Sequence, residues 1–132
     1  MDTNALFLPI RAGFPLEAEI ARILPGAPVR VTSSTLRELD RLESRGTPGA
    51  RGARQFADRL PTTPTRLDGD AAILDVARRR RAIVVTADRE LARRLRAEGL
   101  GVLMPRDRHR LELRPGDGPE PPARRPRARP NR

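Results

Sequence analysis

The sequence predicts an α/β domain with three layers, a mostly parallel sheet between two layers of helix. Three observations predict it. Short apolar runs alternate with longer amphipathic segments along most of the chain. The run "AIVVT" at 82–86 is almost unbroken in apolar and β-branched residues, as in a strand covered on both faces. Acidic residues stand where strands give way to loops or helices, the edge at which such sheets bind ligands.

Taken in order, an amphipathic stretch from Pro15 to Leu24 predicts a helix, and "APVRV" (27–31) predicts a strand. "TSSTLRELDRLES" (32–44) predicts a helix with Leu36, Leu39 and Leu42 inward, its start marked by the Thr35–Glu38 capping box. "SRGTPGARGAR" (44–54) reads as a Gly- and Arg-rich loop leading to a helix near 51–60. "PTRL" (64–67) reads as a short strand, and "DAAILDVARRR" (70–80) as a helix opened by Asp70. After the 82–86 strand, "DRELARRLRAEG" (88–99) is a helix capped by Asp88 and ended by glycine, and "GVLM" (101–104) is the last strand. The division is a folded domain over 1–114 and a tail over 115–132 that is expected to be disordered. That tail holds six prolines, five arginines and almost nothing to bury.

Composition narrows the chemistry. The chain has no cysteine, which excludes disulfides, thiol nucleophiles and zinc ribbons and leaves oxygen-ligand metals as the ion sites. One histidine, His109, sits among surface-type residues. No run approaches the roughly 20 apolar residues of a membrane span, so no membrane partner is expected and the protein reads as cytoplasmic. All 27 basic residues are arginines and the net charge is +10. Residues 1–114 hold 22 arginines against 15 acids, so that part is basic too. A polyanion, most simply RNA, is the expected partner. With no Tyr or Trp to stack on bases, contacts to the phosphate backbone should dominate.

Four carboxylates are expected on one sheet edge: Asp2, Glu38, Asp70 and Asp88. Singly, Glu38, Asp70 and Asp88 are explained as capping residues, whereas Asp2 begins no obvious helix. Together they mean more. Two carboxylates about 4 Å apart repel by roughly 4 kcal/mol at an effective dielectric near 20. Four in one cleft call for a cation, and Mg²⁺ or Mn²⁺ suits an all-oxygen site. Such an ion beside a phosphate ester activates water for hydrolysis.

"DTN" at 2–4, "TLRELDRL" at 35–42, "GDAAI" at 69–73 and "VVTADREL" at 84–91 together resemble the PIN-domain family of metal-dependent nucleases. "TADRELARRL" followed by "GVLM" is most similar to the branch that includes pre-ribosomal RNA processing nucleases. The resemblance, over roughly residues 2–112, implies an α/β/α fold, one or two Mg²⁺ or Mn²⁺ ions, and hydrolysis of RNA to a 5′-phosphate and a 3′-hydroxyl. It implies Asp2, Glu38, Asp70 and Asp88 as metal-site and catalytic acids, supported by Thr3, Asn4 and Thr86. Relatives in that branch often carry a second acid after the one matching Asp70; here that place is Ala71, with Asp68 and Asp75 as substitutes nearby. The family's first strand, which leads into the "DTN" acid at the centre of the sheet, is expected to be largely missing. Asp2 would then hang on a one-residue stub. Two rivals remain open: a VapC-type toxin ribonuclease held by an antitoxin protein, and a non-catalytic RNA-binding relative. A homodimer is a further candidate assembly.

Overall fold

The computed structural model describes residues 1–117, and its strands are short, the first three of them wholly β-branched. β1 (Val31–Thr32) runs parallel to β2 (Thr62–Thr63), pairing Val31 with Thr62. β3 (Val84–Val85) runs parallel to β4 (Val102–Pro105), pairing Val84 with Val102. β4 then folds back onto the antiparallel β5 (Leu111–Arg114). The ladders therefore form two sheets, ordered β1-β2 and β3-β4-β5, in place of the one sheet expected.

Among the described residues, Met1 and Asp2 bridge the two sheets. The Met1 α-amino group donates to Arg30 O at 3.3 Å, and the Asp2 N–H donates to Val85 O at 3.0 Å. Local chemistry explains the short ladders. Val31 N–H reaches Pro61 O at 3.1 Å, but Pro61 has no N–H with which to continue the ladder toward Val29. The strand expected at 64–67 is displaced to 62–63. Thr65 carries the next N–H that would face β1, and it turns instead to the Ser33 hydroxyl at 2.9 Å.

Among the described residues, seven helices surround the strands. α1 (Thr3–Leu6) and α2 (Leu8–Ala12) follow the Met1–Asp2 stub, so Asp2 does begin a helix, contrary to expectation. α3 (Leu16–Ile23), α4 (Ser33–Ser44), α5 (Ala50–Asp58), α6 (Gly69–Arg80) and α7 (Arg89–Ala97) fall within a few residues of their predicted spans. Two caps differ from the reading. α4 is capped by Thr32, whose side chain accepts from Thr35 N–H, so Thr35 lies inside the helix and Glu38 in its second turn. α6 is capped by Asp68, and Asp70 sits in the first turn. Both caps moved because the true N-cap residue keeps the extended φ and ψ of the preceding segment.

Burial alternates along the strands. Val85 and Leu103 pack into a core with Leu6, Leu16 and Leu39, while Val84, Val102 and Met104 pack with Leu74, Leu91 and Leu95. Consecutive residues thus face opposite helical groups, so β3 and β4 are covered on both sides. The four-arginine run at 78–81 ends α6, with Arg78 bound to Glu98 and Arg79 to Asp75. Of the tail, residues from 118 onward lie outside the described part. Among the described residues, no helix is long and apolar enough to cross a membrane.

Candidate active site

Asp2 is the buried acid of the site, only 7% exposed. It sits at the C-terminal side of β3, where its Oδ1 accepts from Ala5 N–H at 2.9 Å and its Oδ2 from the Thr86 hydroxyl at 2.5 Å. Burial pushes its carboxyl above the usual aspartate range, the Asp88 charge adds to this, and the two hydrogen bonds and the α-amino group oppose it. Burial likewise pushes the α-amino group of Met1 down, against the pull of Asp2.

Asp88 follows β3 two residues after Thr86. Its backbone N–H donates to the Thr86 hydroxyl at 3.0 Å, and its Oδ1 caps α7 by accepting from Glu90 N–H and Leu91 N–H. One buried threonine hydroxyl therefore ties the Asp2 carboxylate to the Asp88 backbone. Glu38 projects from α4, where its Oε1 accepts from the Thr3 hydroxyl at 2.7 Å. Asp70, in the first turn of α6, is exposed and stands 3.8 Å from the Arg94 guanidinium of α7.

The four predicted acids line a single pocket, together with Thr3, Asn4, Ser34 and Thr35. Ser34 and Thr35 are the residues that sequence reasoning missed. Both are buried, and the Ser34 hydroxyl accepts from Gly69 N–H at 3.2 Å, joining the start of α4 to the start of α6. The hydroxyl run "TSST" at a strand–helix joint was the available signal. Neither proposed substitute for the missing second acid reaches the pocket. Asp68 is held by Arg37 at 3.0 Å, which keeps its carboxyl below the usual range, and Asp75 lines a separate hollow with Arg79. His109 is exposed, in the turn between β4 and β5.

The donor chemistry fits a hard divalent ion, since every side chain at the pocket that can ligate offers oxygen, Asn4 through its amide oxygen. Among the described residues, however, no three acids come close enough together to share an ion. The acids are spread around the pocket, and each is bound to a local partner.

Two comparisons bear on this arrangement. A family model described as a PIN like domain matches residues 1–108, which include all four acids. No curated protein matches the chain.

Proposed function

Because this chain belongs to the PIN-like domain family, a family of nucleases in general, we propose that it is a metal-dependent endoribonuclease of the RNA-processing kind, acting in the cytoplasm. The observation that carries the reading is the meeting of Asp2, Glu38, Asp70 and Asp88 on one pocket from four separate segments of the chain. Like charges gather this way at a cost that a bound cation removes.

In this reading Asp2, Asp70 and Asp88 hold Mg²⁺ or Mn²⁺, and Glu38 ligates or positions water from α4. The ion, when bound, polarises the phosphate and makes a bound water acidic enough to attack it. Thr86 fixes the Asp2 carboxylate, and the Thr3 hydroxyl fixes that of Glu38. With Asp70 holding an ion, Arg94, 3.8 Å from it, would be near enough to meet a substrate phosphate.

The test is cleavage of a single-stranded RNA. Asp2→Asn and Asp88→Asn should each lower Mn²⁺-dependent cleavage by about 100-fold or more while the protein stays folded. Asparagine caps helices as well as aspartate does, so α7 survives the second change. Cleavage that persists in EDTA, or in either variant, sinks the mechanism. The separation of the acids favours one rival, a non-catalytic RNA-binding protein. That rival predicts no rise in melting temperature as Mn²⁺ is added.

A further inference from the structure

The residues of α4 that open onto the acid pocket belong to a longer stripe. Ser34 and Glu38 line the pocket, and Arg41 and Arg45 continue from them at the spacing of one helical face. At the pocket Glu38 accepts from the Thr3 hydroxyl at 2.7 Å, and just past the end of α4 Pro48 O accepts from the Arg11 guanidinium at 3.2 Å. α1 and α2 thus accompany α4 from the pocket to its far end, along the side that carries the stripe. Arg11 is held at that end over the Phe7 ring, 4.1 Å from its centroid.

Arg41 and Arg45 are exposed, and among the described residues neither is in an ion pair, nor is Arg11. Two other arginines near the pocket already have acids, Arg37 with Asp68 and Arg94 with Asp70. Arg41 stands close enough to the rim to add to Arg37 in holding the Asp68 carboxyl below the usual range. An anion approaching along α4 therefore meets positive charge that it need not first win from a carboxylate.

We propose that the stripe is a phosphate track: single-stranded RNA with its reacting phosphate at the acid pocket continues along α4, its next phosphates on Arg41, Arg45 and Arg11. The track rests on the reading of the pocket as an RNA-cleaving site and adds the course of the substrate through it. Four residues of helix advance about 6 Å, close to the separation of neighbouring phosphates on an extended strand. The planar fork of arginine grips a phosphate through paired N–H groups. The four acids of the pocket repel a polyanion, so attraction has to come from beside them, and the stripe supplies it. Phe7, the ring nearest the track, is buried and already covered by Arg11, so it offers no face for a base to stack on. The track should read the backbone and not the order of bases.

The experiment uses the full chain, a labelled oligouridylate and two charge-matched double variants. Arg41→Gln with Arg45→Gln removes the track; both sites are exposed and glutamine suits a helix, so the fold survives. Arg80→Gln with Arg81→Asn removes the same charge from the far end of α6, about 15 Å of helix from Asp70. Asparagine tolerates the left-handed backbone of Arg81, whose φ is 54°. With each pair placed in the inactive Asp2→Asn chain, the track variant should lower the logarithmic salt slope of binding by about 1.4, and the α6 variant should lower it far less. Lysine at 41 and 45 should keep the slope. In the active chain the track variant should raise KM by about tenfold with kcat nearly unchanged, the sign of lost substrate binding away from the reacting atoms. An equal loss of slope in the two variants overturns the track, as does a fall in kcat at parental KM. If the parent chain does not cleave with Mn²⁺, the nuclease reading fails and the salt slopes alone decide the track. If it cleaves and the track variant keeps the parental slope and KM, the track fails alone.

Discussion

Thr86 has no exposed surface, and its hydroxyl serves both of the acids that frame the pocket, donating to Asp2 and accepting from the Asp88 N–H. Thr86→Val keeps the shape and removes both bonds, leaving a backbone donor unpaired beside a buried carboxylate. The expected loss is about 1–3 kcal/mol in urea unfolding, with Thr86→Ser restoring most of it. The same change removes one of the contacts that hold the Asp2 carboxyl down, so that group should titrate still higher. Asp2 and Glu19 respond to pH in opposite senses. With its folded value raised, Asp2 favours the folded state most below the ordinary aspartate value of 3.8, and that contribution falls as pH rises through the raised value. Glu19 is held down to about 2, first by Arg22 and then by the Leu111 N–H, so its contribution is full above the ordinary glutamate value of 4.5 and is lost as pH falls toward 2. Glu19→Gln should therefore be less stable than the parent at pH 7, with the gap closing between pH 4.5 and 2 when melting is followed by circular dichroism.

At the scale of elements, α4 shows why a motif can be right in kind and wrong in place. Thr35 and Glu38 have the spacing of a capping box, yet Thr32 makes the cap and Glu38 is free to face Thr3 across the pocket. Thr32→Ala should cost about 1 kcal/mol of stability in urea unfolding, whereas Glu38→Gln, which can still accept from Thr3, should cost little. A result with the two reversed would put the cap at Thr35. α3 to α7 were legible because their apolar spacing and their ends are written locally, as in Asp88 before α7 and Gly99 after it, whereas the short α1 and α2 went unread. The strands were less so. A ladder depends on the partner's donors: Pro61 has none to extend β2 backward, and Thr65 N–H, bound to the Ser33 hydroxyl, does not extend it forward. β5 went unread although Leu111 and Leu113 alternate with Glu112 and Arg114 as in a half-covered strand, because its turn is made by Asp107 accepting from His109 N–H and Arg110 N–H rather than by glycine. The acids were legible as a set because each stands near a joint between elements. Their present spread, with Asp70 beside Arg94, depends on side-chain rotamers that no local pattern records.

For the whole molecule, charge is the property that reaches furthest from any one contact. The chain carries +10, of which residues 1–114 hold +7 and residues 115–132 the remaining +3. Much of the arginine in the folded part is engaged with acids. Arg54, Arg78 and Arg93 are examples, and such exposed pairs contribute little to stability. Their guanidinium groups can exchange a carboxylate for a phosphate at small net cost, which makes the folded surface a reserve of phosphate contacts as well as a set of ion pairs. RNA binding by the inactive Asp2→Asn variant should accordingly weaken steeply with salt, by about 0.7 in the logarithmic slope for each phosphate neutralised on a single strand. Since most of the net charge lies before residue 115, a chain ending at Arg114 should keep at least about two-thirds of that slope. Filter binding of a labelled single-stranded RNA across a range of NaCl concentrations measures both slopes. If the slope of the shortened chain collapses toward zero, the 115–132 segment holds the RNA. The folded surface would then serve the acid site by positioning alone.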